Sequence, residues 1–585
     1  MKEKSTIGNR MAMAAVVLPV FVGIFFAQDD SYKLSAGRFI VLTLIIAAYN
    51  LLLYLRKTDW ERRKTALICS GMSLFTMALI QGVCFLRQTE NVSEGMVTFL
   101  GMTLAVIVLG GFFLLISSEK GITENVIVVV IFAAFLVRIF YVVMTQSYLY
   151  QNDMAAFDDE GYGHFGYIYY LFSDGKLPDI NPMEYYELYQ PPLHHAISAV
   201  FLKLLQLLGC SPDIWEEQLQ VLLLVYSMLV VVFIDKIAVR MKLCLEGRLA
   251  AVCFAGFFPY GIMMSGSLNN DQLMTLFMVM AIYFTLKWYE DPNIKTILIM
   301  AVCIGCSMMS KVSGVLIAPA MAALMLLKLW KDRKQWVKYI KQFVCFGLIA
   351  FPLGMWHPVY NLLKWGMPFG FVPAMGPTSG QFIGEYDKWQ RFYDFNGAFD
   401  QLTVQGDRFH GFTDYNLPVT LIKFAVFGES NYYDSSQLTN ILAPVVFWAT
   451  LALFALMPAA FVIWFLLDKT RAVNKAFVLV GTVVSLCYYV RFCWQYPYVC
   501  TMHVRYIMGA VYLGCLTIGA TVTTMQEKFA PGNAVSEQDS SLPVPEDSAE
   551  TGVGTAVSVK IMTELSLFYI TAVIVLMVGM ERLLP

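Results

Sequence analysis

A helix needs about 17 to 25 apolar residues to cross a hydrocarbon core of about 30 Å, and this chain repeats such runs along almost its whole length. In hydrocarbon every backbone polar group must be satisfied within the protein, so spanning segments are helices or closed barrels. The runs are continuous and do not alternate, which excludes a barrel. Charged residues make up only 14% of the 585 residues, against about 25% in soluble domains. The pattern predicts an all-α, polytopic helical membrane protein whose external loops carry short interfacial helices. Predicted spans cover 11–27, 39–55, 66–86, 96–117, 125–146, 193–209, 219–237, 248–265, 271–288, 295–310, 313–329, 338–357, 439–466, 475–490, 504–524 and 562–581. The first follows Lys2, Lys4 and Arg10 with no small-residue cleavage site after it, and is expected to stay uncleaved.

Two long loops, 147–192 and 358–438, interrupt the spans. A third segment, 525–560, is rich in Pro, Ser, Glu and Gly and is expected to be a disordered cytoplasmic linker. The net charge of −2 gives no sign of nucleic-acid binding. The twelve Cys lie mostly inside apolar runs, where a free thiol packs as a small hydrophobe. Cation-rich short loops face the cytoplasm. Here they are 56–64, the stretch around Lys236, Arg240 and Lys242, 331–338 and 468–475. All of them fall inside only if 193–209 and 219–237 together add one net crossing. The segment 193–209 is therefore expected to be re-entrant or tilted, with about fifteen net crossings in all.

This topology gathers the polar islands on the external face. The richest is 151–192, which carries eight carboxylates against one cation, Lys176. Asp153 and the run Asp158-Asp159-Glu160 lie just beyond a span. A carboxylate near low-dielectric walls has raised proton affinity and suits a general base. Paired carboxylates also suit a divalent cation, Mg or Mn, that neutralises a phosphate. His164 and Tyr167 follow in GYGHFGYIYYL, a pattern for an amphipathic helix on the membrane surface with Phe165, Ile168, Tyr169 and Phe172 on its apolar side. In YQPPLHH, Gln190 precedes a proline turn and His194 and His195 open a helix. Adjacent histidines there point about 100° apart, which argues against one shared metal ion. Asn269, Asn270 and Asp271 head a span, where capping and function compete as explanations. Lys311, between two spans, and Arg505, at the head of another, are cations suited to a phosphate. Glu429 and His503 complete the external set.

The order of these motifs resembles a known family. An acidic external loop with Gly-His-x-Gly-Tyr-Ile is followed by Pro-Pro-Leu, an Asn-Asn-Asp helix head, Ser-Lys-x-Ser-Gly and a late Arg-Tyr. The set is similar to the GT-C glycosyltransferases of the protein mannosyltransferase and aminoarabinose transferase type, family 39-like, in its bacterial branch, over about residues 125–524. The resemblance implies a multi-pass plasma-membrane enzyme that moves a sugar from a polyprenyl phosphate to a lipid, glycan or protein acceptor on the external face, with inversion. It implies Asp153 as base, Asp159 and Glu160 as runners-up, Asp271 as the second external carboxylate, and Lys311 and Arg505 as phosphate ligands. His164, Tyr167, Gln190, His194, Asn270, Glu429 and His503 then line the substrate. Asn152 before Asp153 and His503 before Arg505 depart from the family pattern. The resemblance also divides the chain into additional helices over 1–124, a core over 125–357 with the catalytic loop 147–192, the external loop 358–438, core helices over 439–524, the linker 525–560 and a terminal span over 561–585. The competing readings are a transporter or flippase for a lipid-linked saccharide and a non-catalytic scaffold. A transporter predicts repeated halves and charges at the bilayer middle, whereas here the charges cluster at one face.

Overall fold

The computed structural model describes residues 124–144, 147, 163–185, 187–207, 212, 215–373, 375–404, 406–407, 411–429, 437–529 and positions 569, 570, 573 and 577. The predicted helices of 1–124, most of the linker and of the terminal span, and Asp153, Asp159 and Glu160 lie outside the described residues.

Helices dominate. In chain order they are α1 (Glu124–Met144), α2 (His164–Asp174), α3 (Leu193–Leu207), α4 (Trp215–Arg240), α5 (Leu245–Gly256), α6 (Pro259–Met263), α7 (Asp271–Glu290), α8 (Ile294–Ser310), α9 (Ala318–Lys331), α10 (Trp336–Trp365), α11 (Gln390–Tyr393), α12 (Leu417–Phe427), α13 (Gln437–Leu467), α14 (Ala472–Gln495) and α15 (Met508–Phe529). The extended pairings among the described residues are a two-residue antiparallel ladder, Gly406–Asp407 with Gly411–Phe412, and an isolated antiparallel bridge between Phe382 and Tyr498. Six helical segments there are long and apolar enough to cross a membrane. At about 1.5 Å per residue α3 reaches only about 22 Å, short of a full crossing.

The predicted span 248–265 breaks into α5 and α6. Pro259 starts α6 and has no N–H to continue the helix. The carbonyls freed at the break need donors, and a buried arginine from α1 supplies them. Arg138 donates from Nη1 to Gly256 O at 2.5 Å and to Ala134 O at 3.0 Å, and from Nε to Ser227 Oγ at 2.8 Å. Ser227 in turn donates to Gly261 O at 3.1 Å. A charge inside an apolar bundle is thus placed against the negative end of α5. The sequence pattern gave this arginine no role.

Two backbones meet where α5 packs on α15. A methyl at Gly247 would overlap Gly519 O and Thr523 Oγ1, and one at Gly519 would overlap Gly247 O. Glycine at both positions lets the helices touch. Below this contact the basic segments gather at one end of the bundle. Arg471 donates to Met241 O at 3.3 Å and Lys242 O at 3.1 Å and pairs with Asp468 and Glu527. Arg240 pairs with Glu290 at 2.5 Å, and Arg248 with Asp235 at 3.0 Å. The segments 236–242 and 468–475, both expected on the cytoplasmic face, therefore share one end. The heads of α7 and α15 are at the other.

Two segments differ from expectation. The long loop 358–438 contains α12, which is almost wholly buried. Asn416 caps it by accepting from Val419 N at 3.0 Å, and Pro418 sits in its first turn. Its Lys423 pairs with Asp414 at 2.6 Å, both buried. The second is α2. His164, Tyr167, Ile168 and Phe172 face protein while Tyr169 is half exposed, so its inner face packs on α3 and not on lipid.

Candidate active site

Three charged side chains from distant segments meet at the end of the bundle opposite the basic loops. Asp271 opens α7, and its buried carboxylate does not cap the helix. Instead Asp271 Oδ1 accepts from Lys311 Nζ at 2.6 Å, and Arg505 Nη1 stands 4.0 Å from Oδ2. The backbone N of Asp271 is bonded to Asn269 Oδ1 at 3.2 Å, which fixes the helix head. Lys311 ends α8 in extended backbone, and its ammonium also lies 5.3 Å from the Tyr506 ring centre. Arg505 Nη2 donates to Tyr506 OH at 3.3 Å. A single carboxylate among two cations and a phenol leaves an excess of positive charge. Such a patch suits an oxyanion such as phosphate, with the guanidinium fork giving it direction.

A neutral row borders this patch. Asn270 Nδ2 donates to Ser310 O at 2.9 Å and to Gln190 Oε1 at 3.3 Å. Gln190 Nε2 donates to Tyr189 OH at 2.9 Å. The proline turn thereby ties the acidic loop to the head of α7. On the other side His503 accepts from Arg505 N at 3.3 Å through Nδ1. Its ring lies between Phe424 of α12 at 4.2 Å and Tyr260 of α6 at 4.6 Å. His503 thus shapes the turn that carries Arg505.

Beside the row is a buried imidazole cluster. His164 Nδ1 lies 3.0 Å from His195 Nε2, and His164 Nε2 lies 3.4 Å from a carboxylate oxygen of Glu187. Tyr167 stacks on His195 at 4.3 Å, and the His194 ring packs edge-on to His195 at 5.3 Å. Glu187 adopts φ 64°, a conformation that side chains with a Cβ enter rarely.

Of the sequence candidates, Asp271, Asn270, Gln190, Lys311, Arg505 and His503 are joined in one polar network, and His164, Tyr167 and His194 form the adjoining cluster. Glu429 is exposed just past Gly428 at the end of α12. Asp153, Asp159 and Glu160 lie outside the described residues. Among the described residues no group of three His, Cys, Asp or Glu is arranged to hold a metal ion. Sequence reasoning passed over Glu187, Tyr260 and Phe424. The first was one of eight loop carboxylates, and the other two looked like ordinary apolar packing.

Residues 190–356 match the family model for dolichyl-phosphate-mannose-protein mannosyltransferases. The matched segment contains Gln190, His194, Asn270, Asp271 and Lys311. No curated protein matches the chain. Among solved structures, the crystal structure of ArnT from Cupriavidus metallidurans in the apo state aligns at 13% identity, over 78% of this chain and 77% of that one, with a TM-score of 0.43. The family match, over 167 of the 585 residues, supports the resemblance to membrane glycosyltransferases of the GT-C type drawn from the ordered motifs.

Proposed function

We propose that this chain transfers a sugar from a polyprenyl-phosphate donor to a hydroxyl acceptor at the external face of the plasma membrane, with inversion at the sugar carbon. The observation that carries this reading is the meeting of Lys311 and Arg505 at Asp271. The two cations hold the donor phosphate, and they stabilise the negative charge that grows on it as the sugar–oxygen bond breaks. Asp271 keeps both cations in place between turnovers. A loop carboxylate takes the proton from the acceptor hydroxyl as that oxygen attacks the sugar carbon from the side opposite the phosphate. Asp153 is the first choice for this base, with Asp159 and Glu160 next. His164 (four residues after Glu160), Gln190 and Asn270 line the acceptor side. The donor's apolar tail needs a lipid-facing groove, which the membrane helices around the site are suited to supply.

The test is single replacement of Asp153, Asp159 and Asp271 by Asn, with sugar transfer read from native lipid extracts. Loss of transfer in the Asp153 variant with donor binding retained supports the assignment of base. Full transfer by all three variants would remove the catalytic reading. Movement of the lipid-linked sugar across the bilayer without reaction would favour the transporter.

A further inference from the structure

The segment 389–399 of the long loop carries a cluster of solvent-facing aromatic side chains that the proposed reaction does not use. Trp389 is 65% exposed, Tyr393 68% and Phe395 50%. Exposed large rings in such density are not what an aqueous loop carries.

The cluster is fixed against two membrane helices. Phe399 stacks on Trp448 of α13 with ring centres 5.6 Å apart and planes 20° apart. Trp389 meets Trp494 of α14 edge-on at 5.4 Å. Between the outward rings, Arg391 points inward and is buried. It donates to Cys493 O at 2.6 Å, a cation on the last turn of α14 where the helix dipole favours it. Asp387 accepts from Trp389 N at 2.9 Å and Gln390 N at 3.2 Å, which closes the turn before α11. The outward rings are therefore held on a built platform.

The height of this platform follows from helix geometry. Both helices end on the basic segment 468–475. At about 1.5 Å rise per residue, Trp448 stands about 28 Å from Leu467 and Trp494 about 33 Å from Ala472. The two estimates agree with each other and with a hydrocarbon thickness of about 30 Å. The rings that touch Trp448 and Trp494 sit where the hydrocarbon ends and the headgroups begin, the level at which Trp and Tyr concentrate in membrane proteins. Trp448 itself is half exposed on the outer side of α13, so the platform continues a surface that already faces lipid.

We propose that residues 389–399 form a foot that rests among glycerophospholipids at the headgroup–acyl boundary on the site's end of the bundle. The foot connects to the site through the neighbouring backbone. Ile383 N donates to Pro497 O at 3.1 Å and Val499 N to Gln381 O at 2.9 Å, and segment 497–502 leads directly to His503 and Arg505. The loop that carries the foot is thereby tied to the turn that carries the cationic patch.

The test uses the full-length chain and Trp389→Phe in liposomes of phosphatidylcholine and phosphatidylglycerol. One set of liposomes carries bromine near the carbonyl end of the acyl chains and another near the methyl end. The difference in emission between the two proteins isolates Trp389. The expected result is loss of that emission in the shallow-brominated lipid, a smaller loss in the deep-brominated lipid, and none with iodide in the buffer. Quenching by iodide with no effect of either lipid would overturn the proposal, and so would stronger quenching by the deep label. Adding Phe395→Trp to the Trp389→Phe protein gives a second reporter, whose new emission is read in the same way.

Discussion

The carboxylate of Glu187 lies 3.4 Å from His164 Nε2, and Glu187 reaches it from a left-handed backbone at φ 64°. The strain and the contact belong together, because this conformation turns the side chain of a surface loop into the buried imidazole cluster. A left-handed residue other than glycine costs about 1 kcal/mol, and a buried donor without an acceptor costs about 1–3 kcal/mol. Glu187→Gly removes the strain and the acceptor together, and is expected to lower stability by about 1 kcal/mol net. Glu187→Gln keeps an accepting oxygen and is expected to stay closer to wild type. Thermal unfolding in detergent, with sugar transfer measured alongside, separates the two variants. A glycine variant more stable than wild type would show that the His164 contact is worth less than the backbone strain that goes with it.

Asp271, which is buried, and Lys311, which is partly buried, pair 2.6 Å apart, so removing one partner strands the other. Breaking such a pair costs about 3–5 kcal/mol, whereas replacing both with apolar groups is often neutral. Asp271→Leu and Lys311→Met are each expected to destabilise the protein, and the double variant is expected to recover most of the melting temperature. On the proposed reading, transfer should remain absent in the double variant, because only Arg505 is left of the two cations assigned to the donor phosphate. Simple additivity in the double variant would mean that the two side chains do not act as a pair.

Arg138 serves three acceptors around the break between α5 and α6. Arg138→Leu leaves the carbonyls of Ala134 and Gly256 without this donor, at about 1–3 kcal/mol for each buried group left unsatisfied. The expected outcome is a clear fall in melting temperature. Arg138→Lys is expected to fall less, since one cationic donor remains. Equal melting of wild type and Arg138→Leu would sink this account.

Asp468 provides the pH dependence. Burial acts to raise its proton affinity, but donation from Thr470 N and Oγ1, Trp464 Nε1 and Arg471 N outweighs burial and holds the carboxyl well below its usual range. A depressed folded value means that the stabilisation is fully present above the unfolded pKa of about 3.9 and is lost as the pH falls below it. Melting temperatures taken downward from neutral pH are expected to hold until about pH 4 and then drop. Asp468→Asn should start lower and show a weaker drop. Parallel curves for the two proteins would contradict the assignment.

Much of the polar network was legible because each member is a charge or amide beside an apolar run, and such groups are costly at a membrane edge unless they have a task. That argument reaches Asp271, Lys311 and Arg505 one at a time, and the basic loops put them on a common face. It does not reach Glu187, whose role depends on one backbone dihedral that no neighbouring residue announces. It does not reach α12 either. Eleven residues are too few for a span, although Asn416 and Pro418 spell a helix start. Arg138 was hidden inside a span that scored as hydrocarbon, because its partners are backbone carbonyls and a serine, which hydropathy does not weigh. The amphipathic reading of α2 found the right helix and assigned its inner face to lipid, since periodicity marks a buried face without naming what covers it.

The meeting of Gly247 and Gly519 has a mechanical consequence. Two spans in backbone contact cannot slide or part without exposing amide groups to hydrocarbon. The half of the bundle that holds the basic segments therefore behaves as a fixed pivot. On the proposed reading, the donor's isoprenoid tail would enter between helices at the far end, where the span 248–265 is interrupted between α5 and α6.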